Sequence, residues 1–160
     1  MFSFLKKKEQ GIPVAAPIKG KVVELSTVSD PTFGEGMLGK GVAIIPEEGK
    51  VYAPADGEIS MMFETRHAVS MITSEGIELL IHIGLETVAL KGEGFEAHVQ
   101  SGDAVKKGDL LLTVDLEKVK AEGYDIISPI VVCNTDEYED VQGVLSEKAV
   151  PGDKIITIIK

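Results

Sequence analysis

Arg66-His-Ala-Val-Ser-Met-Ile72, Thr73-Ser-Glu-Gly76 and Ile77-Glu-Leu-Leu-Ile-His-Ile83 follow one another without a break. Two apolar runs flanking a polar, glycine-containing turn predict a β-hairpin. If Ile72 opposes Ile77, as a two- or four-residue loop dictates, His67 opposes His82. The two imidazoles then share one face, with Cβ atoms roughly 4.5–5.5 Å apart. A three-residue loop would shift the register by one and separate them. Strand alternation places Thr65 on the same face as His67, where its hydroxyl can fix the ring's tautomer. Gly84, two residues after His82, offers a carbonyl to orient that ring and leaves room for an incoming group.

Outward from the hairpin, short apolar runs separated by Gly, Pro and Asp continue over most of the 160 residues. They predict strands at Lys21–Thr27, Gly41–Ile45, Val51–Ala53, Glu58–Phe63, Ala68–Ile72, Ile77–Ile83 and Phe95–Val99. Leu110–Val114, Ile130–Cys133, Gly143–Ser146 and Lys154–Ile159 complete the set. Leu116–Glu122, capped by Asp115 and ended by Gly123, is the best helix, and Leu85–Leu90 fits one turn. The expectation is an all-β antiparallel sandwich or barrel-like fold with one or two short helices. Two echoes point to internal duplication. Ala16-Pro-Ile-Lys-Gly20-Lys-Val22 resembles Ala53-Pro-Ala-Asp-Gly57-Glu-Ile59, and Gly102–Asp109 resembles Pro151–Lys154.

The chain is large enough for one domain with a real core. A leader over 1–12 and a single domain over 13–160 are expected. The net charge of −10 argues against nucleic-acid binding, which needs a basic footprint to displace counterions. The lone cysteine, Cys133, lies in an apolar run and reads as a small core side chain. A single cysteine fits a reducing compartment, so a cytoplasmic location is expected. Met1–Leu5 followed by Lys6, Lys7 and Lys8 lacks the order and length of a signal peptide. It permits at most peripheral contact with an anionic membrane.

Facing imidazoles suit nucleophilic work, because a neutral nucleophile exists near neutral pH and a second ring can steady arriving charge. Two structural histidines paired across a sheet are the plain alternative. A zinc site is another, but zinc usually takes three or four protein ligands and no third stands beside His67 and His82. The H-x-H pair of zinc peptidases with related β architecture is absent: Ile83 and Gly84 follow His82. His98 has no obvious partner and reads as a strand-end residue. No G-x-x-x-x-G-K-[ST] loop occurs, against nucleotide-dependent kinase chemistry. A biotinyl or lipoyl carrier would need a hairpin-tip lysine such as M-K-M, also absent. The carboxylates, as in Asp136–Asp140, are scattered as on a solvated face.

From about Val14 to Lys160 the chain resembles the glucose-type IIA component of the bacterial phosphoenolpyruvate-dependent sugar phosphotransferase system. The resemblance is carried by Phe63-Glu-Thr-Arg-His-Ala68, Gly76–Val88, Leu90-Lys-Gly-Glu-Gly-Phe95 and Ser128-Pro-Ile-Val-Val132. It implies an antiparallel β-sandwich built on a duplicated motif. It further implies that His82 accepts a phosphoryl group on Nε2 from HPr and passes it to a cysteine of a IIB domain. His67 then stabilises the moving group, with Thr65 and Gly84 in the supporting network. Phe33, Phe63, Val69, Leu80 and Ile83 match positions on or near an apolar docking face, and Asp30 and Glu86 its rim. No cofactor is required. In regulatory complexes of some relatives the two histidines join a partner's carboxylate around zinc, so a regulatory binding module using the same face is the alternative. The basic leader at Met1 is the expectation for a free-standing subunit.

Overall fold

A computed structural model describes residues 11–160. The basic leader therefore lies almost wholly outside the described residues, and its last residue, Ile12, already pairs with Ile158. Among the described residues there are fourteen strands: β1 (Ile12–Ala15), β2 (Gly20–Glu24), β3 (Lys40–Pro46), β4 (Lys50–Tyr52), β5 (Gly57–Met62), β6 (Ala68–Thr73) and β7 (Glu78–His82), then β8 (Phe95–Ala97), β9 (Ala104–Val105), β10 (Leu110–Val114), β11 (Ser128–Val132), β12 (Asp140–Gly143), β13 (Ser146–Ala149) and β14 (Lys154–Ile159). Two short helices join them, α1 (Pro31–Gly34) and α2 (Leu116–Ala121). All pairings are antiparallel. An open eight-stranded sheet runs β13-β2-β3-β11-β7-β6-β5-β9, and two three-stranded sheets run β1-β14-β12 and β4-β10-β8. The architecture is thus a sandwich, not a closed barrel.

Alternation along the central strands decides what each face does. Leu79 and Ile81 of β7, Ile130 and Val132 of β11, Val69 and Met71 of β6, and Val42 and Ile44 of β3 point into the main core. There they meet Val51, Leu112 and Phe95 from one small sheet, and Val14, Ile156 and Ile158 from the other. The opposite face carries Leu80, Val131, Ala68 and Ala43, covered by Leu25, Val28 and Phe33 from the β2–β3 connection. Strands covered on both faces lose the hydrophobic–polar alternation of a half-exposed sheet. That is why Leu79-Leu-Ile81, between Glu78 and His82, is an unbroken apolar run. His82 projects from the second face, beside the smaller cluster.

The repeated sequences dock on each other by the same hydrogen bonds. Ala16 N–H donates to Asp153 O and Ala16 O accepts from Gly152 N–H; Ala53 N–H donates to Asp109 O and Ala53 O accepts from Gly108 N–H. Likewise Ala15 N–H donates to Pro54 O, and Tyr52 N–H to Pro17 O. Each Gly-Asp turn closes on its own carboxylate, Asp109 accepting from Lys106 N–H at 2.8 Å and Asp153 from Val150 N–H at 3.0 Å. Gly108 and Gly152 both have positive φ, 95° and 102°, which a side chain would oppose. The duplication read from the sequence is therefore a structural one.

Other expectations shift. Asp115 caps α2 through Lys118 N–H and Gly123 follows it at φ 91°, as read. Leu25–Thr27 is a 3-10 turn instead of strand, and the run placed at Gly143–Ser146 is the junction where β12 ends at Gly143 and β13 starts at Ser146. Cys133 is exposed, not a core side chain: it falls one residue past β11, where its N–H bonds Glu78 O. Partial burial of the thiol and the neighbouring Glu78 carboxylate push its pKa up. His98 has partners after all, the Thr113 hydroxyl and, at 3.6 Å, Glu96.

Candidate functional site

The hairpin forms with a register one residue away from that expected. Its loop is three residues, Ser74-Glu75-Gly76, closed by Thr73 N–H to Ile77 O and capped by the Thr73 hydroxyl accepting from Ile77 N–H. Gly76 adopts φ +85°, the left-handed residue that a three-residue hairpin loop requires. Ala68, not His67, therefore opposes His82. Yet the two imidazole centroids lie 5.0 Å apart with planes at 81°. The contact survives because the strand ends at Ala68. Arg66 turns left-handed, φ +58°, and His67 is released from the alternation that would have sent it toward the core with Ile83. The tie to Ile83 is through the backbone alone, Ile83 N–H to His67 O at 2.8 Å.

Each imidazole is oriented through Nδ1. His82 Nδ1–H donates to Gly84 O at 2.7 Å; a carbonyl can only accept, so the lone pair lies on Nε2. His67 Nδ1 bonds the Thr65 hydroxyl at 2.6 Å. Thr65 sits in the Phe63–Arg66 turn, closed by Arg66 N–H to Phe63 O; this turn, not strand alternation, brings it to the ring. Phe33 covers His82 at 4.9 Å between centroids, and Phe63 meets His67 edge-on at 5.5 Å. Phe33 is delivered by α1, whose N-cap Asp30 accepts from Thr32 N–H with Pro31 at the first helical position. His67 is only 6% exposed and His82 half-buried.

Burial lowers the pKa of both rings. His67 falls to about 4, through burial and then the neighbouring His82. His82 is also lowered by burial, opposed by its bond to Gly84 and by the Asp30 carboxylate. Both are thus neutral near pH 7, and a neutral imidazole with a free Nε2 is a nucleophile. Linkage gives the stability consequence. The unfolded chain takes up protons below about 6.5 while the fold resists until about 4, so stability present above pH 6.5 is lost as pH falls toward 4. We expect the urea midpoint to drop between pH 7 and 5, and His67→Gln to flatten that slope.

Gly84 sits at φ +74°, and its absent Cβ would meet Thr87 Cγ2 at 2.7 Å and Asp125 O at 2.8 Å. The missing side chain thus accommodates the protein's own packing rather than an incoming group, correcting the sequence reading. Thr87 in turn donates its hydroxyl to Ile83 O. Gly84→Ala should cost about 1–2 kcal/mol for the left-handed backbone and roughly 1–3 kcal/mol for overpacking. Urea denaturation would measure it.

Of the residues matched to a docking face, Phe33, Leu80 and Phe63 belong to the small cluster beside the histidines. Val69 and Ile83 do not. At 1% and 2% exposure they lie in the main core, because alternation sends them through the sheet, so they cannot line a surface. Glu86 is exposed, left-handed at φ +60°, and opens the 3-10 turn Thr87–Leu90; Asp30 is half-buried. Val88, 53% exposed, is an apolar side chain on that turn that sequence reasoning passed over. Thr87, Arg66 and Gly92 were also missed as parts of the site; they lie inside the blocks that carry the resemblance, with nothing in their types to single them out. Among the described residues no three His, Cys, Asp or Glu converge as a metal site. Two nitrogen donors fall short of what zinc takes, so the residues present do not make a zinc site by themselves.

The duplicated β-sandwich thus carries two neutral, paired imidazoles, one of them with a free Nε2 lone pair. The family described as phosphoenolpyruvate-dependent sugar phosphotransferase system, EIIA 1, matches residues 12–138, and the chain belongs to it. A glucose-specific EIIA component of Oceanobacillus iheyensis is 40% identical over 98% of this chain and 94% of its own length. The glucosamine-specific EIICBA component of Bacillus subtilis is 55% identical over 79% of this chain. A beta-glucoside-specific EIIBCA component from the same organism is 50% identical over 78%. The chain spans 20% of the length of each of these two. Glucose permease IIA from Mycoplasma capricolum superposes with a TM-score of 0.83 at 38% identity, covering 94% of this chain and 96% of that one. Membership in this family supports a phosphoryl-carrier role in sugar transport. Among the described residues no helix is long and apolar enough to cross a membrane.

Proposed function

We propose that His82 carries the phosphoryl group, taking it on Nε2 from the phosphorylated carrier HPr and giving it to a cysteine of a IIB domain. The observation that carries this reading is the Nδ1–H bond from His82 to Gly84 O, which leaves Nε2 as the nucleophile beside a second buried imidazole. In the forward step the Nε2 lone pair attacks phosphorus in line while the bond to the HPr nitrogen breaks. In the second step a thiolate sulfur attacks and Nε2 leaves with its electron pair. Such transfer needs positioning and charge stabilisation more than covalent help. Thr65 donates its hydroxyl to His67 Nδ1, so that His67 Nε2–H points its donor at the phosphoryl oxygens. Phe33, Phe63 and Leu80 thin the water around a labile phosphohistidine. Asp30 and Glu86 meet basic groups of HPr at the rim.

The IIB partner is favoured by the EIIBCA and EIICBA relatives, whose names join A to B and C components. We place the protein in the cytoplasm, with no cofactor needed for transfer. A zinc ion bridging the histidines to a carboxylate of a regulated partner remains the second reading, and the partner would have to bring the missing ligands. The test is direct. With labelled phosphoenolpyruvate, the general phosphotransferase enzyme and HPr, the chain should acquire an acid-labile label that a IIB domain removes. Label arriving only from a nucleotide donor would overturn the assignment.

A further inference from the structure

The residue that breaks the strand before His67 is an arginine, an unfavourable choice for a left-handed backbone, which Gly and Asn adopt at lower cost. Its side chain offsets that cost. Arg66 Nε–H donates to Phe95 O at 3.1 Å, Nη2 to Gly92 O at 3.2 Å and Nη1 to Glu64 O at 3.4 Å. The guanidinium thus spans from the His67 turn to the loop between the Thr87–Leu90 turn and β8. Gly92 makes the seat: a Cβ there would lie 2.5 Å from Arg66 Nη2. That loop is itself held in shape by a left-handed Lys91, φ +54°. Upstream of it Thr87 packs on Gly84, whose carbonyl orients His82.

We propose that Arg66 is a positioning residue, its left-handed backbone and Gly92-seated guanidinium holding the His67 imidazole against His82. The inference rests on the carrier reading only for its functional consequence; the ring placement itself follows from the geometry. The register makes a positioning element necessary. With Ala68 opposite His82, a β6 strand continued through His67 would carry that ring to the Ile83 side of the sheet. Three of the five N–H groups of Arg66 are committed to backbone carbonyls, which makes the guanidinium part of the frame behind His67. Its action is therefore through His67. A planar fork is suited to three carbonyls in a way that a lysine ammonium is not.

Three variants of the full chain test this. Arg66→Asn keeps a residue tolerant of the left-handed region and removes the fork. Arg66→Lys keeps the charge alone. Gly92→Ala leaves Arg66 in place and fills its seat. Native protein should give cross-ring NOEs between His67 and His82 imidazole protons, and all three variants should lose them. With HPr phosphorylated from labelled phosphoenolpyruvate, the rate of onward transfer to IIB relative to label uptake should fall about 10- to 100-fold, with no rescue by lysine. Persistent cross-ring NOEs and a native transfer ratio in folded Arg66→Asn would overturn the proposal, even if thermal stability fell. If Gly92→Ala does not fold, Arg66→Asn decides. Should native protein take no label, the carrier reading fails separately, and the NOEs alone decide for or against Arg66.

Discussion

His82→Ala is expected to abolish labelling from phospho-HPr, a loss of at least about 10⁴-fold that leaves only background. The expectation follows from covalency. On the proposed carrier reading, removal of His82 removes the intermediate, and a replacement would need another nucleophile on this face. His67 is the nearest candidate, but it is more deeply buried, and its Nδ1 is held by Thr65 at 2.6 Å. His98 lies one residue past β8, bonded to the Thr113 hydroxyl rather than to either site histidine. Folding should survive the change, since His82 is half-buried at the end of β7 and its ring bonds only Gly84 O. Circular dichroism separates loss of chemistry from loss of structure. Acid-labile label persisting in folded His82→Ala protein would mean that the phosphoryl group sits elsewhere.

His67→Gln should behave differently, and the difference is diagnostic. Glutamine preserves a donor of similar reach, so label should still arrive on His82. Onward transfer should fall by roughly 10²–10³-fold, the scale seen when one preorganised donor to developing negative charge is lost. The measured quantity is the single-turnover rate from labelled protein to IIB. The fixed imidazole matters because Thr65 and the edge of Phe63 hold it, whereas an amide on a flexible stem must be ordered during the step. A transfer rate unchanged by the substitution would strip His67 of its role and leave it a packing residue.

The pairing of the histidines was legible for the wrong reason. Alternation and an even-length loop brought His67 opposite His82 on paper; the protein has a three-residue loop and pairs Ala68 with His82. No local pattern distinguishes Thr73-Ser-Glu-Gly76 as a three-residue loop from a four-residue one, since Thr73 serves equally as strand end and as cap. The left-handed turn at Arg66 was invisible because arginine carries no sign of it; the carbonyls of Gly92 and Phe95 that hold its side chain are distant in sequence. Gly-Asp turns were readable because the carboxylate closes its own turn locally, as at Asp109 and Asp153. Val69 and Ile83 matched a surface by resemblance, yet alternation along β6 and the core packing of Ile83 put them inside. β1, β9, β12 and β13, short or charge-bearing, escaped notice because tertiary pairing rather than propensity makes them strands.

The internal duplication bears on how such a site can change over time. The two copies agree where Ala16 and Ala53 clasp their glycine–aspartate turns, but they part company at one equivalent connection. Between β2 and β3 the chain wanders through Leu25–Gly39, sending Asp30 and Phe33 over the sheet; between β5 and β6 it is clipped to Phe63–His67. Both versions of that connection end beside the same pair of rings. Lengthening one copy or tightening the other reshapes the mouth of the site while the shared frame stays as it was. Internal repetition thus gives the molecule two lips of unequal length around one pair of imidazoles.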